Sequence, residues 1–162
     1  MSTKDISLIK RPEKNVLYFI SDLHILDCEE LIAKALLSFI SSIKDDENSI
    51  LVFGGDVFEV FVGGSSFFEI FFKSIFQSLS SIKGEWFFLA GNHDMHFGKL
   101  ISKYKGHYFD CPFIVELSSS RVLCGHGDLV DDGDVGYQRL RSFLHSGLAK
   151  TLIKITPGKL LF

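Results

Sequence analysis

Short apolar runs separated by polar breaks punctuate the first 125 or so residues. Val16-Leu17-Tyr18-Phe19-Ile20 is continuous, apolar and partly aromatic, which predicts a buried strand. Asp27, with Glu30 three residues later, has capping-box spacing ahead of a helical pattern at Leu31, Ala35, Leu36, Phe39, Ile40 and Ile43. After the polar break Lys44-Asp45-Asp46-Glu47-Asn48, Ile50-Leu51-Val52-Phe53 predicts a second buried strand, stopped at Gly54-Gly55. Ser66 and Glu69 repeat the capping spacing. Phe68, Phe71, Phe72, Ile75, Phe76, Leu79 and Ile82 then fill more than one helical face, so one deeply buried helix is expected over 66–82. Trp86-Phe87-Phe88-Leu89 is a third strand, ending at Gly91, and 113–117 and 121–124 predict a hairpin across Ser118-Ser119-Ser120. Strands alternating with helices imply an α/β fold with right-handed crossovers and a largely parallel sheet, to which the hairpin adds an antiparallel part. In such sheets function gathers at the carboxyl ends of the strands.

Composition narrows the class. The chain has 162 residues, 46% of them hydrophobic and 17 of them Phe, enough for one domain with a sizeable core. No apolar run approaches the roughly 18 residues of a spanning helix. The first 14 residues carry Lys and Glu without an apolar stretch, so a secretory signal is not expected. Cys28, Cys111 and Cys124 are odd in number and lack metal-binding spacing, which fits a reducing compartment. The net charge of -3 divides unevenly: residues 136–162 carry five basic groups and no acid, and the rest carries 12 basic against 20 acidic. That balance argues against a nucleic-acid partner.

The chemistry lies where the strands stop. Asp22-Leu23-His24 follows the first strand, Gly54-Gly55-Asp56 the second, Gly91-Asn92-His93-Asp94 the third and Gly125-His126-Gly127-Asp128 the hairpin. Carboxylate, amide and imidazole groups suit divalent ions such as manganese, iron or zinc. Strand-end alternation is expected to turn Asp22 and His24 toward one ion, and the glycines to let the backbone approach closely. No Gly-rich phosphate-cradling signature is present.

In this order the clusters resemble the calcineurin-like metallophosphoesterases, whose signature runs D-x-H, G-D, G-N-H-D/E, H and then G-H-x-H. The resemblance covers about residues 16–128. It implies a mixed β-sandwich flanked by helices and two divalent metal ions, with manganese expected. Asp22 and His24 would bind the first ion, Asp56 would bridge both, and Asn92 and His126 would bind the second. The bridging anion offsets the repulsion of two neighbouring cations, which together clamp the phosphoryl oxygens during in-line attack. The resemblance places His93 over the phosphate, as proton donor or charge stabiliser, with Asp94 orienting it.

Residues 126–141 are similar to the HGD…D-x-x-YQ-x-x-R stretch of UDP-2,3-diacylglucosamine pyrophosphohydrolases, enzymes of lipid A synthesis, and so is Gly55-Asp56-Val57-Phe58-Glu59. This implies cleavage of a UDP-linked acylated glucosamine to UMP and 2,3-diacylglucosamine 1-phosphate. Asn92, Asp134, Tyr137 and Arg141 would contact the substrate. The chain departs from many members at His93, where they carry Arg.

Two regions are expected: a core over 1–135 and the start of a basic amphipathic lid over 136–162. In the second, Tyr137, Leu140, Leu144, Leu148, Leu152 and Ile155 form a stripe opposite Arg139, Lys150 and Lys154. Such a helix suits the anionic inner face of the inner membrane, giving a cytoplasmic, peripheral enzyme, though an ordinary surface helix has the same pattern. No G-H-x-H follows His126, so the final strands of the sheet are expected to be missing and the chain to be a fragment or a shortened product. The alternatives are another calcineurin-like phosphodiesterase or phosphatase, and a non-catalytic remnant.

Overall fold

The hydrophobic runs lie side by side in a computed structural model that describes residues 6–62, 66–127 and Gly136. Asp128, Asp134, Tyr137, Arg141 and the expected lid lie outside the described residues. In chain order the elements are β1 (Ser7–Lys10), β2 (Val16–Ile20), α1 (Leu31–Ile43), β3 (Ser49–Phe53), β4 (Phe61–Val62), α2 (Ser66–Phe71), α3 (Lys73–Ser80), β5 (Glu85–Leu89), β6 (Asp94–Met95), α4 (Gly98–Lys103), β7 (His107–Phe109), β8 (Phe113–Glu116) and β9 (Arg121–Cys124).

The central sheet, in order β2-β3-β5-β7, is parallel throughout, as the strand–helix alternation implies. Strand period divides its residues between two cores. Leu51, Phe53, Trp86 and Phe88 face a core shared with Ala33, Leu36, Ile40 and Ile43 of α1 and Ile75, Phe76 and Leu79 of α3. Ile50, Val52, Phe87 and Leu89 face the other way, onto Phe113, Val115 and Cys124 of the second sheet. That sheet, β1-β8-β9, contains the expected hairpin, with Phe113 opposite Cys124 and Glu116 opposite Arg121. The architecture is thus a mixed sandwich flanked by helices.

Several local expectations change. β1 was hidden in the polar start, and it pairs in parallel with β8. The Asp27–Glu30 capping box does not form: Asp27 accepts from the Glu29 N–H, Glu30 accepts from the Leu26 N–H, and α1 begins at Leu31. The buried stripe of α1 runs through Ala33, Leu36, Ile40 and Ile43, while Leu31 and Ala35 are exposed. The single helix over 66–82 is two, broken at Phe72 with φ -98° and ψ 22°. Glu69 does not close a cap there, because its carboxylate accepts from Lys103 and Tyr104.

The break turns Phe68, Phe72 and Phe76 into one cluster with Phe58, Phe61 and Phe97. Phe61 sits at its centre, with ring centroids 4.7–5.8 Å from the other five. This cluster lies beneath the loop that follows β3. Phe61→Ala is expected to cost about 3–5 kcal/mol. Denaturant unfolding measures it, and a loss under about 1 kcal/mol would contradict this placement.

Candidate metal centre

β2, β3, β5 and the β8–β9 hairpin end together, so their four polar clusters converge. Gly54 N–H donates to Ile20 C=O at 2.7 Å, Asp22 N–H to Gly55 C=O at 3.1 Å, and His24 N–H to Asp56 C=O at 3.1 Å. These bonds zip the loop after β2 onto the loop after β3. On the other side, Phe61 N–H donates to His93 C=O at 2.9 Å and β4 pairs with β6, which zips in the loop after β5.

Asp22, His24 and Asp56 do not converge by strand alternation. Each has left-handed backbone, with φ of 55°, 49° and 52°. That is an uncommon state for a residue with a side chain, it costs on the order of 1–3 kcal/mol each, and it clusters at functional sites. One ligand atom from each of the three lies within 4.8 Å of the others.

Asp56 is 4% exposed and faces a second group as well. Its Oδ2 lies 3.2 Å from His126 Nε2, which is also 3.2 Å from Asn92 Oδ1. His126 Nδ1 is 2.8 Å from Gly54 C=O. A carbonyl only accepts, so Nδ1 carries the proton and the lone pair of neutral His126 sits on Nε2. That lone pair then faces two oxygens, an arrangement that a cation between them resolves. Burial pushes the Asp56 carboxyl up, but the His126 imidazole and the His93 N–H outweigh it and hold the acid below its ordinary range.

Glycine is required at two points. A β-carbon on Gly91 would overlap Asp56 Oδ1 and the Asp56 backbone N. Gly55, at φ +95°, would meet Gly91 Cα and His126 Nδ1 at 2.8 Å.

Asp94 takes a different position from the one expected. It is fully buried. Its Oδ1 accepts from the N–H groups of Asp56 and Gly91 at 2.9 and 3.0 Å, and its Oδ2 from Val57 and Phe58 at 2.6 and 3.2 Å. The orienting partner of His93 is instead Glu59, whose C=O lies 2.7 Å from His93 Nδ1. Burial pushes the Asp94 carboxyl up to about 7, against the four N–H donors that favour its anion.

Glu59 had no role in the expected site. Its Oε2 lies 2.7 Å from His24 Nδ1, and the His24 and His93 rings meet edge to face at 4.9 Å between centroids. Its position three residues beyond Asp56, on the same loop, was the available signal.

The residues present therefore form two donor sets, Asp22 with His24 and Asn92 with His126, that share Asp56. They can hold two cations on one bridging carboxylate, and a phosphoryl group can lie across the pair. This is the donor chemistry of a metal-dependent phosphoesterase. The calcineurin-like phosphoesterase family matches residues 16–156, and the chain belongs to that family. Among curated proteins it is similar to UDP-2,3-diacylglucosamine hydrolases. That of Pseudomonas savastanoi pv. phaseolicola is 29% identical over 88% of this chain and 58% of the relative. That of Pseudomonas aeruginosa is 30% identical over 86% and 59%, and that of Haemophilus influenzae 26% over 88% and 61%. The chain thus spans less than two thirds of the length of these relatives. No helix among the described residues is long and apolar enough to cross a membrane.

Asp94→Asn places an amide NH₂ among four N–H donors. It is expected to cost at least about 2 kcal/mol, because buried donors lose a charged acceptor. The loss should be the same in wild-type and His93→Ala backgrounds. A double-mutant cycle by thermal unfolding checks this, and a coupling above about 0.5 kcal/mol would restore Asp94 as the partner of His93.

Proposed function

We propose that the protein is a metal-dependent hydrolase of UDP-2,3-diacylglucosamine, cleaving its pyrophosphate to UMP and 2,3-diacylglucosamine 1-phosphate in lipid A synthesis. The observation that carries this reading is the buried carboxylate of Asp56 shared by two donor sets. The named relatives supply the substrate class.

In this reading Asp22 and His24 hold one divalent ion, Asn92 and His126 the other, and Asp56 both. The ions, manganese here, supply Lewis-acid polarisation of water and of the phosphoryl oxygens. Asp94 holds the Asp56 loop in place. His93, with Nδ1 tied to the Glu59 carbonyl, offers Nε2 to a phosphoryl or leaving oxygen, where a proton donor stabilises the charge that develops. Asn92, Asp134, Tyr137 and Arg141 contact the glucosamine phosphate part of the substrate. The basic segment 136–162 serves as a lid against the anionic inner face of the inner membrane, which makes the protein cytoplasmic and peripheral. A second reading, a phosphodiesterase for another substrate, is favoured by His93 standing where many of these hydrolases have Arg.

The protein is expected to release UMP from UDP-2,3-diacylglucosamine with manganese and to lose that activity to a chelator. Hydrolysis of a generic nitrophenyl phosphodiester without UMP release would favour the second reading.

Asp56→Ala is expected to abolish binding of both ions, because one carboxylate serves both. Metal analysis after dialysis measures this, and retention of two ions per chain would remove Asp56 from the bridge. His93→Ala is expected to lower turnover by roughly 10²–10⁴ while leaving metal content intact. Loss of metal in that variant would make His93 a ligand instead.

A further inference from the structure

Both histidines on the β2 side of the site are held by one residue that the proposed chemistry does not use. Glu59 Oε2 is 2.7 Å from His24 Nδ1, and the Glu59 C=O is 2.7 Å from His93 Nδ1. The other carboxylate oxygen stands 3.8 Å from the same His93 nitrogen. We infer that Glu59 is the positioning residue of the site: its carboxylate fixes the tautomer and plane of His24, and its main-chain carbonyl those of His93. This inference rests on the metal-dependent reading above and extends it to a residue outside the donor sets.

The backbone explains why one residue reaches both rings. Ile25 N–H donates to Val57 C=O at 3.0 Å, and Glu59 N–H donates to Ile25 C=O at 3.1 Å. These bonds place Glu59 opposite His24. Two residues on, Phe61 N–H donates to His93 C=O. The segment from Gly55 to Phe61 is therefore a strap between the two histidine-bearing loops, and Glu59 lies where both can be touched.

The chemistry follows from the inventory of donors. An ionised carboxylate and a carbonyl only accept, so each Nδ1 must be the protonated nitrogen. Each neutral ring then keeps its lone pair on Nε2, which serves His24 as a ligand and His93 as a proton-carrying contact. A carboxylate on the far nitrogen of a ligating imidazole also raises its basicity and fixes its orientation. The contact is not a stability device. Both side chains are more than one third exposed, where an ion pair contributes little.

The test uses histidine ring ¹⁵N shifts and manganese titration of the wild type, Glu59→Ala and Glu59→Gln. In the metal-free wild type at about pH 8, above the ordinary imidazole range, His24 and His93 are both expected as Nδ1–H tautomers. Glu59→Ala is expected to give His24 a tautomer mixture while His93, bonded to a main-chain carbonyl, stays as it was. Its manganese affinity should fall roughly 10–100-fold. Glu59→Gln keeps an acceptor oxygen, so it should restore the His24 tautomer and part of the affinity. An unchanged His24 tautomer in Glu59→Ala, or manganese affinity within about twofold of wild type, would overturn the inference. If Glu59→Ala does not fold, Glu59→Gln decides by itself, since a wild-type tautomer with intermediate affinity is expected and any other result overturns it. A wild type that binds no manganese would sink the metal-dependent reading, while the tautomer measurement would still decide the role of Glu59.

Discussion

Everything at this site hangs from the buried carboxylate of Asp94. Its two oxygens take four backbone N–H groups, three of them consecutive in the loop after β3 and the fourth at Gly91. Without it, three adjacent donors near the core would have lost both water and partner, an unfavourable state that backbone groups in folded chains rarely occupy. The same four bonds choose the path of the chain through Asp56, whose left-handed backbone is otherwise disfavoured. A side chain from β6 thereby sets the conformation that presents Asp56.

The consequences spread outward from that loop. Asp56 can be presented only if Gly91 passes against it without a β-carbon and Gly55 turns at positive φ. Below, the Phe58, Phe61, Phe72 and Phe97 rings fill the space between loop and helices, so the strap cannot sink into the core. Above, it faces the three imidazoles. The strain at Asp22, His24 and Asp56 is thus held between a rigid apolar floor and a ladder of hydrogen bonds.

The fold was legible where burial alone decides structure. β2, β3 and β5 are continuous apolar runs with no competing reading, and the hairpin has alternation on both sides of a serine turn. β1 was not legible because only Ile9 of its four residues packs into the core, while Leu8 is exposed. The break at Phe72 was hidden because aromatic residues continue on both sides of it. At the site, Asp22, His24, Asp56, Asn92 and His126 were legible because strand ends carry their side chains to one edge. Asp94 and Glu59 were misjudged or missed for a common reason. Most of their partners are main-chain N–H and C=O groups, which every residue carries and which leave no trace in residue type.

One further regularity ties the three imidazoles together. His126 is tied through Nδ1 to the carbonyl of Gly54, His93 through Nδ1 to the carbonyl of Glu59, and His24 through Nδ1 to the carboxylate of Glu59. All three anchors lie in one stretch of six residues, and all three leave the lone pair on Nε2. Orientation of the rings is therefore not three separate problems solved by three separate loops. The strap from Gly54 to Glu59 sets them together, and Asp94 sets most of the strap. A site assembled this way responds as a unit, because a displacement of the strap moves the shared carboxylate and the three ring planes in concert.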